Sequence, residues 1–240
     1  RIEQATQGIA DRAEWLTDEG IAQLLLDYAY HCFWQDDSLQ DQAGWRNLIP
    51  WLAAGWQYNR RWARQLLEVA AGFRPRFSTE EQKRLKQLQA GLAPQAEVEA
   101  EAELLQELKK WSERGWLTGD GEADQRAILM LNQGRLCYRQ ERYDQALNLY
   151  VETQRQIPSR AATLVRGLSS ALDDLGFQLG WKGESPIASE PARQAFELAT
   201  ELDLKNHFAW YGLGAIQDEF KNYEQAIFDY KQAIALDPKY

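Results

Sequence analysis

The chain has 240 residues, 45% hydrophobic and 26% charged, with 16 glycines and 7 prolines; this composition buries a core and excludes a disordered or loop-dominated chain. A formal net charge of −9 repels phosphate backbones and excludes general nucleic-acid binding as a default. Ala, Leu, Gln, Glu and Arg dominate while runs of Val, Ile and Thr are nearly absent, which predicts an all-α fold.

Residues 2–16 read as one helix. Thr17-Asp18-Glu19 opens a second, with Leu24, Leu25, Tyr28 and Cys32 on one stripe, and the polar run Gln35-Asp36-Asp37-Ser38 ends it. A third begins near Asp41 and is expected to break or kink at Pro50. Trp51 to Ala71 follows, closed by Gly72 and Pro75. Ser78-Thr79-Glu80-Glu81 is a capping box that opens a helix to about Ala90, with Gly91 and Pro94 as its boundary. Gln95 to Arg114 is a long acidic helix, and Gly119-Asp120-Gly121 a loop. Glu97, Glu99, Glu101 and Glu103 alternate along this helix, which predicts a solvated face and no metal site.

After that loop the sequence repeats with a period of 34 residues. In His207–Tyr240, the residues Trp210, Leu213, Gly214, Ala226, Tyr230, Ala233 and Pro238 fall on W-x2-L-G…A-x3-F…P. An earlier copy, 127–160, keeps Gly134, Tyr143, Ala146, Tyr150 and Pro158. Between them, 161–206 keeps Leu168, Ala192, Phe196 and Ala199 but carries an insertion at about 176–187, whose glycines and aromatics predict a structured loop or an extended helix end. Ser189-Glu190-Pro191 caps the helix that follows. These copies resemble the tetratricopeptide repeat. The resemblance implies helical hairpins stacked as a right-handed solenoid over residues 123–240, preceded by an N-terminal helical domain, 1–94, and an acidic linking helix and loop, 95–122. A degenerate repeat at 40–75 is an alternative for part of the N-terminal domain, because Ala63, Leu67, Ala70 and Pro75 keep second-helix spacing.

Chemistry has little to work with. The chain has two histidines, and none of the phosphate-loop, dinucleotide, zinc-protease or nucleophile-elbow motifs occurs. His31 and Cys32 are adjacent and point about 100° apart on a helix, so a buried structural role is expected over a nucleophilic pair. No catalytic residue, metal or cofactor is expected, and the chain reads as a non-enzyme. Cys32 and Cys137 lie in no ligand spacing, and as buried free thiols they fit a reducing, cytoplasmic compartment. Four tryptophans, Trp45, Trp51, Trp56 and Trp62, crowd one stretch and are expected in the core, with an aromatic groove as the rival reading.

Function is expected to lie in protein binding. The resemblance places first-helix positions on a concave groove. These are Ile128, Leu131, Arg135, Tyr138 and Arg139 in the first copy, Thr163, Arg166, Ser170, Asp173 and Asp174 in the second, and Phe208, Tyr211, Ala215, Asp218 and Glu219 in the third. The subfamily that grips a chaperone's C-terminal carboxylate uses a Lys/Asn/Arg clamp. Here Leu131 and Tyr211 stand where lysines would, and Ala215 where an arginine would, so an extended peptide or partner helix is the expected ligand of a scaffold or assembly factor. A homodimer through an open solenoid end is a further expectation. The alternative is a nucleic-acid or membrane-surface adaptor acting through Arg60, Arg61, Arg64, Arg74, Arg76, Lys83, Arg84 and Lys86. Against it stand a solvated helix face and internal pairing with the acidic helix 95–114. A ligand-sensing N-terminal domain coupled to the repeats is a third reading.

Overall fold

A computed structural model of the chain describes residues 12–35, 43–114, 122–157 and 161–238. The start of the first expected helix, the polar run after Gln35, the glycine loop at 119–121 and Pro158 lie outside the described residues. The chain forms two compact units, one of residues 1–132 with 158–161, the other of 133–157 with 162–240. The fold is all-α, built of packed helical pairs.

The first unit holds α1 (Arg12–Thr17), α2 (Glu19–Gln35), α3 (Ala43–Tyr58), α4 (Arg60–Ala71), a 3-10 turn at Arg74–Arg76, α5 (Thr79–Gly91) and α6 (Val98–Glu113). Asp18 separates α1 from α2, and its carboxylate accepts from the Ile21 amide at 2.9 Å, satisfying an otherwise open helix-start donor. The capping box at α5 forms as expected. Ser78 Oγ accepts from the Glu81 amide, and the Glu81 carboxylate accepts from the Ser78 amide at 2.9 Å.

Pro50 does not interrupt its helix: α3 runs through it, and the break falls nine residues later at Asn59. Proline removes one amide donor from a helix whose buried face is otherwise intact: Leu48, Ile49, Leu52 and Ala53 are all fully buried. Asn59 ends the run through its side chain. Its Oδ1 accepts from the Trp62 amide at 3.0 Å and its Nδ2 donates to the Leu16 carbonyl at 2.8 Å.

Much of the aromatic content of this unit is core. Phe33, Trp45, Phe73, Phe77 and Trp111 are all buried. Trp45 meets Phe33 edge-on at 5.7 Å and lies 5.3 Å from Phe77 and 6.2 Å from Trp111, separations that add attraction beyond burial. Its indole N–H donates to Glu81 Oε1 at 3.2 Å. Trp56 and Trp62 are buried as well, with Trp62 Nε1 donating to the Ala22 carbonyl. Trp51 is half-buried against Trp15, while Tyr28, Tyr30 and, at 62%, Trp34 are exposed.

Two expectations for this unit are corrected. Glu101 is not on a solvated face: it is 6% exposed, and Arg60 Nη2 pairs with it at 2.7 Å. Glu97, Glu99 and Glu103 are exposed as expected. The His31–Cys32 pair is not buried as a unit, since His31 is exposed and Cys32 half-buried. Burial pushes the Cys32 thiol up, partly offset by its hydrogen bond with Tyr28, which disfavours the thiolate a nucleophile needs.

The second unit takes the C-terminal part of α7 (Glu122–Arg139), then α8 (Tyr143–Gln156), α9 (Ala162–Gly180), a two-stranded ribbon of β1 (Trp181–Lys182) and β2 (Ser185–Pro186), α10 (Glu190–Leu202), α11 (His207–Glu219) and α12 (Tyr223–Leu236). The first and third hairpins share one turn. In each, a non-glycine residue with positive φ (Glu141 at 58°, Lys221 at 62°) lets the next amide reach back: Arg142 N to Cys137 O, and Asn222 N to Gln217 O, both at 2.9 Å. They also share one close approach. A Cβ at Gly134 would sit 2.3 Å from the Tyr150 ring, and one at Gly214 would sit 2.8 Å from the Tyr230 ring.

The middle hairpin differs because of its insertion, which is both helix extension and structured loop. α9 continues to Gly180, then β1 pairs antiparallel with β2, Trp181 opposite Pro186 and Lys182 opposite Ser185. Gly183 (φ 66°) opens the two-residue turn, a position that favours glycine in tight hairpins. Ser189 then caps α10 by accepting from the Ala192 amide, with Pro191 in its first turn. Among the described residues no helix is long and apolar enough to cross a membrane.

Candidate functional site

The residues expected to line the repeat groove occupy different environments. Leu131 belongs to the first unit and is fully buried; it offers a partner no surface. Of the others, Ile128 is buried in the first unit, Asp173 and Ala215 are buried in the second, and the rest lie in the second unit with side chains at least partly open. Arg135 is half-buried and its Nη2 donates to the Gly167 carbonyl at 3.1 Å, which fixes the guanidinium between the first and second hairpins. Tyr138 is half-buried with its ring 5.7 Å from Tyr143, and Arg139 is exposed. Burial, and then the charge of Asp174, push the Tyr138 hydroxyl up. Arg166 is exposed, with Nη2 donating to Thr163 Oγ1 at 3.2 Å, and Ser170 beside it is exposed too. In the third hairpin Phe208 is 46% exposed, Tyr211 lies 6.0 Å from Tyr230, and Asp218 is exposed.

Half of the basic stretch of the first unit is engaged by its own protein. Arg84 is 8% exposed, pairs through Nε with Glu107 Oε1 at 2.7 Å, and stands 5.5 Å above the Trp111 ring. Arg60 holds Glu101, Arg64 donates to the Leu92 carbonyl, and Arg76 donates to the Phe33 carbonyl. Arg61, Arg74, Lys83 and Lys86 remain exposed. Internal pairing with the acidic helix therefore accounts for Arg60 and Arg84, and the four cations left exposed are a weak basis for binding a polyanion.

Two features of the second unit escaped sequence reasoning. One is a buried polar network. Asn206, the N-cap of α11, accepts from the Ala209 amide and donates through Nδ2 to both Ser169 Oγ (2.9 Å) and Asp173 Oδ2. Ser169 Oγ in turn donates to the Ala199 carbonyl at 3.0 Å. The network ties α9, α10 and α11 together. Asp173, expected at the groove, is instead 8% exposed, and its Oδ1 has no hydrogen-bond partner. Burial raises its carboxyl from 3.8 to about 7; the hydrogen bond from Asn206 opposes the rise, and the charges of Asp174 and Asp203 add to it.

An acid whose folded pKa exceeds its unfolded value binds its proton more tightly when folded. It therefore destabilises the fold progressively as pH rises from about 4 to about 7, and no further above that. Asp173→Asn is expected to raise stability at pH 8 and to flatten its decline between pH 5 and 8. Urea unfolding at four pH values checks this; an unchanged slope would show that Asp173 does not set it.

The other feature is a cleft of about 440 Å3 lined by Tyr138, Asp174, Phe177, Gln178, Trp181 and Gly183. It sits where the insertion meets the first and second hairpins. The signal for it in the sequence was the aromatic and glycine content of Gly176–Gly183, whose placement beside Tyr138 required the fold.

Comparison with known families agrees with this architecture. Residues 207–240 match a tetratricopeptide repeat model, and residues 134–151 match a second model of the same repeat. No curated protein matches the chain.

Proposed function

We propose, from the premise that this chain is a tetratricopeptide-repeat protein, that it is a non-catalytic scaffold or assembly factor. It binds a peptide or helix of a partner protein through the open face of its second unit. Repeats of this family generally mediate protein–protein interaction. The observation that carries the finer reading is the surface itself: Arg135, Tyr138, Arg139, Arg166, Phe208 and Tyr211 are at least partly exposed, and Arg, Tyr and Phe are residue types that dominate binding energy at interfaces. Leu131, being buried, takes no part in it. The adaptor reading, through nucleic acid or a membrane surface, is weaker because Arg60 and Arg84 are engaged by Glu101 and Glu107. Free Cys32 and Cys137 support a reducing, cytoplasmic location as part of this proposal.

The test is capture from a native extract of the source cells, with the intact chain beside Arg135→Ala/Arg139→Ala/Tyr211→Ala and Arg61→Ala/Lys83→Ala/Lys86→Ala. A discrete protein retained by the chain and the basic-stretch variant, but reduced at least about tenfold with the groove variant, is the expected result. Retention of nucleic acid or lipid, lost only with the basic-stretch variant, would replace the scaffold reading with the adaptor. Retention of a second copy of the chain itself would point to a homodimer, for which α12 offers an apolar face: Tyr223, Ile227, Phe228 and Ile234 are each about half exposed.

A further inference from the structure

The cleft at the insertion has a chemistry of its own. Phe177 and Trp181 stand 4.8 Å apart with ring planes at 52°, so they meet as a V and do not stack. Both rings also pack near-perpendicular to Phe196, at 5.0 and 6.1 Å, and Phe196 is fully buried. The V is thereby anchored to the core and is preformed. Tyr138 faces it from α7, and Asp174, one turn before Phe177 on α9, is the charged side chain among the lining residues. The hairpin holds the far wall in place: the Ile187 amide donates to the Gly180 carbonyl at 2.7 Å, closing the loop at its base.

Three half-buried aromatic rings and one carboxylate lining the same cleft suit an organic cation. Ring faces attract positive charge through their quadrupoles, and more strongly where water is partly excluded. A guanidinium suits this site better than an ammonium. It is planar, stacks on aromatic rings, sheds water more easily, and pairs bidentately with a carboxylate. Gln178 adds an amide oxygen that accepts a further N–H. The protein's own Arg135 donates through Nη2 to the Gly167 carbonyl, and its charge also reaches Asp174, opposing the upward push of burial on that carboxyl.

We infer that the cleft formed by Tyr138, Asp174, Phe177 and Trp181 binds an arginine side chain of a partner peptide, with Asp174 pairing its guanidinium and Trp181 and Phe177 flanking it. The inference rests on the scaffold reading and deepens it by naming the anchor the partner supplies. It also gives the insertion a role, because the extended α9 and its ribbon build a wall that the first and third hairpins lack.

The test uses the full chain, 15N-labelled, and follows the Trp181 indole N–H, assigned through Trp181→Phe. The probes are N-acetyl-arginine methylamide, its norleucine counterpart of similar length without charge, and its glutamate counterpart. A saturable shift with the arginine probe below about 50 mM, at least fivefold weaker binding with Asp174→Asn, and no saturable response to norleucine or glutamate are expected. Asp174 is exposed, so the variant is expected to keep the fold; a second arm without any variant compares the unaltered chain at about 20 and 500 mM salt, where binding must fall. Equal response to norleucine, indifference to both Asp174→Asn and salt, or no shift at all would overturn the inference. This titration needs no partner protein. Its failure leaves the scaffold reading standing, and failure of the extract capture leaves the cleft chemistry standing.

Discussion

Phe196→Ala is expected to destabilise the second unit by about 3–5 kcal/mol. The side chain is fully buried, and it acts as a rivet between successive hairpins. A Cβ at Gly176 on α9 would meet its ring at 2.7 Å, and one at Gly212 on α11 at 2.4 Å. Both helices approach so closely that no smaller residue fills the space, and the wall of Phe177 and Trp181 rests on the same ring. Truncation therefore leaves a cavity bounded by two helix backbones that cannot collapse without shifting a hairpin. Gly212→Ala probes the same contact from the other side. Its gain in helix preference, about 1 kcal/mol, is opposed by overpacking of about 1–3 kcal/mol, so a net loss is expected. Hydrogen exchange checks the location: protection should fall across α9, α10 and α11. An equal fall across α3 to α6 would show that the loss is global.

Trp45→Ala is expected to cost the first unit a similar amount, about 3–5 kcal/mol, by a different route. Its indole is 1% exposed at the centre of the Phe33, Phe77 and Trp111 cluster. Removing it opens a large void and also takes a donor from Glu81, itself 6% exposed, and a buried acceptor left without its donor costs about 1–3 kcal/mol more. Trp45→Phe keeps most of the ring volume and separates the two contributions. Trp34→Ala, at a site 62% exposed, should change stability by no more than about 0.5 kcal/mol. Denaturant titration of the three variants is the measurement; a Trp34 effect as large as that of Trp45 would contradict this placement of the core.

The helix ends were legible in the sequence because they are settled within a few residues. Ser78 with Glu81, Ser189 ahead of Pro191, and Gly72 after Ala71 each satisfy or end backbone hydrogen bonding locally. The repeats were legible for a related reason. Gly134 and Gly214 each stand 16 residues before the ring they must admit, Tyr150 or Tyr230, and such spacing is written directly in the chain.

What only the tertiary structure decided are the cases where distant groups outweigh local pattern. The alternating glutamates gave no sign that Glu101 alone would be buried, because its partner Arg60 lies 41 residues away. Pro50 carries a strong local signal for a break, yet α3 continues, since the apolar face on either side gains more from burial than one missing hydrogen bond costs. Asp173 sits at a position expected on the surface but is turned into the junction of α9, α10 and α11 by Asn206 and Ser169. The cleft at the insertion belongs to the same class. Its aromatics were visible as residues, but their convergence on Tyr138 and Asp174 depends on how far α9 extends and where its ribbon folds back. By itself, then, the sequence determined the helices, their ends and the repeat, all of which depend on short-range hydrogen bonding and periodic burial. Which charges are buried, and which side chains form a site, was decided by packing between elements far apart in the chain.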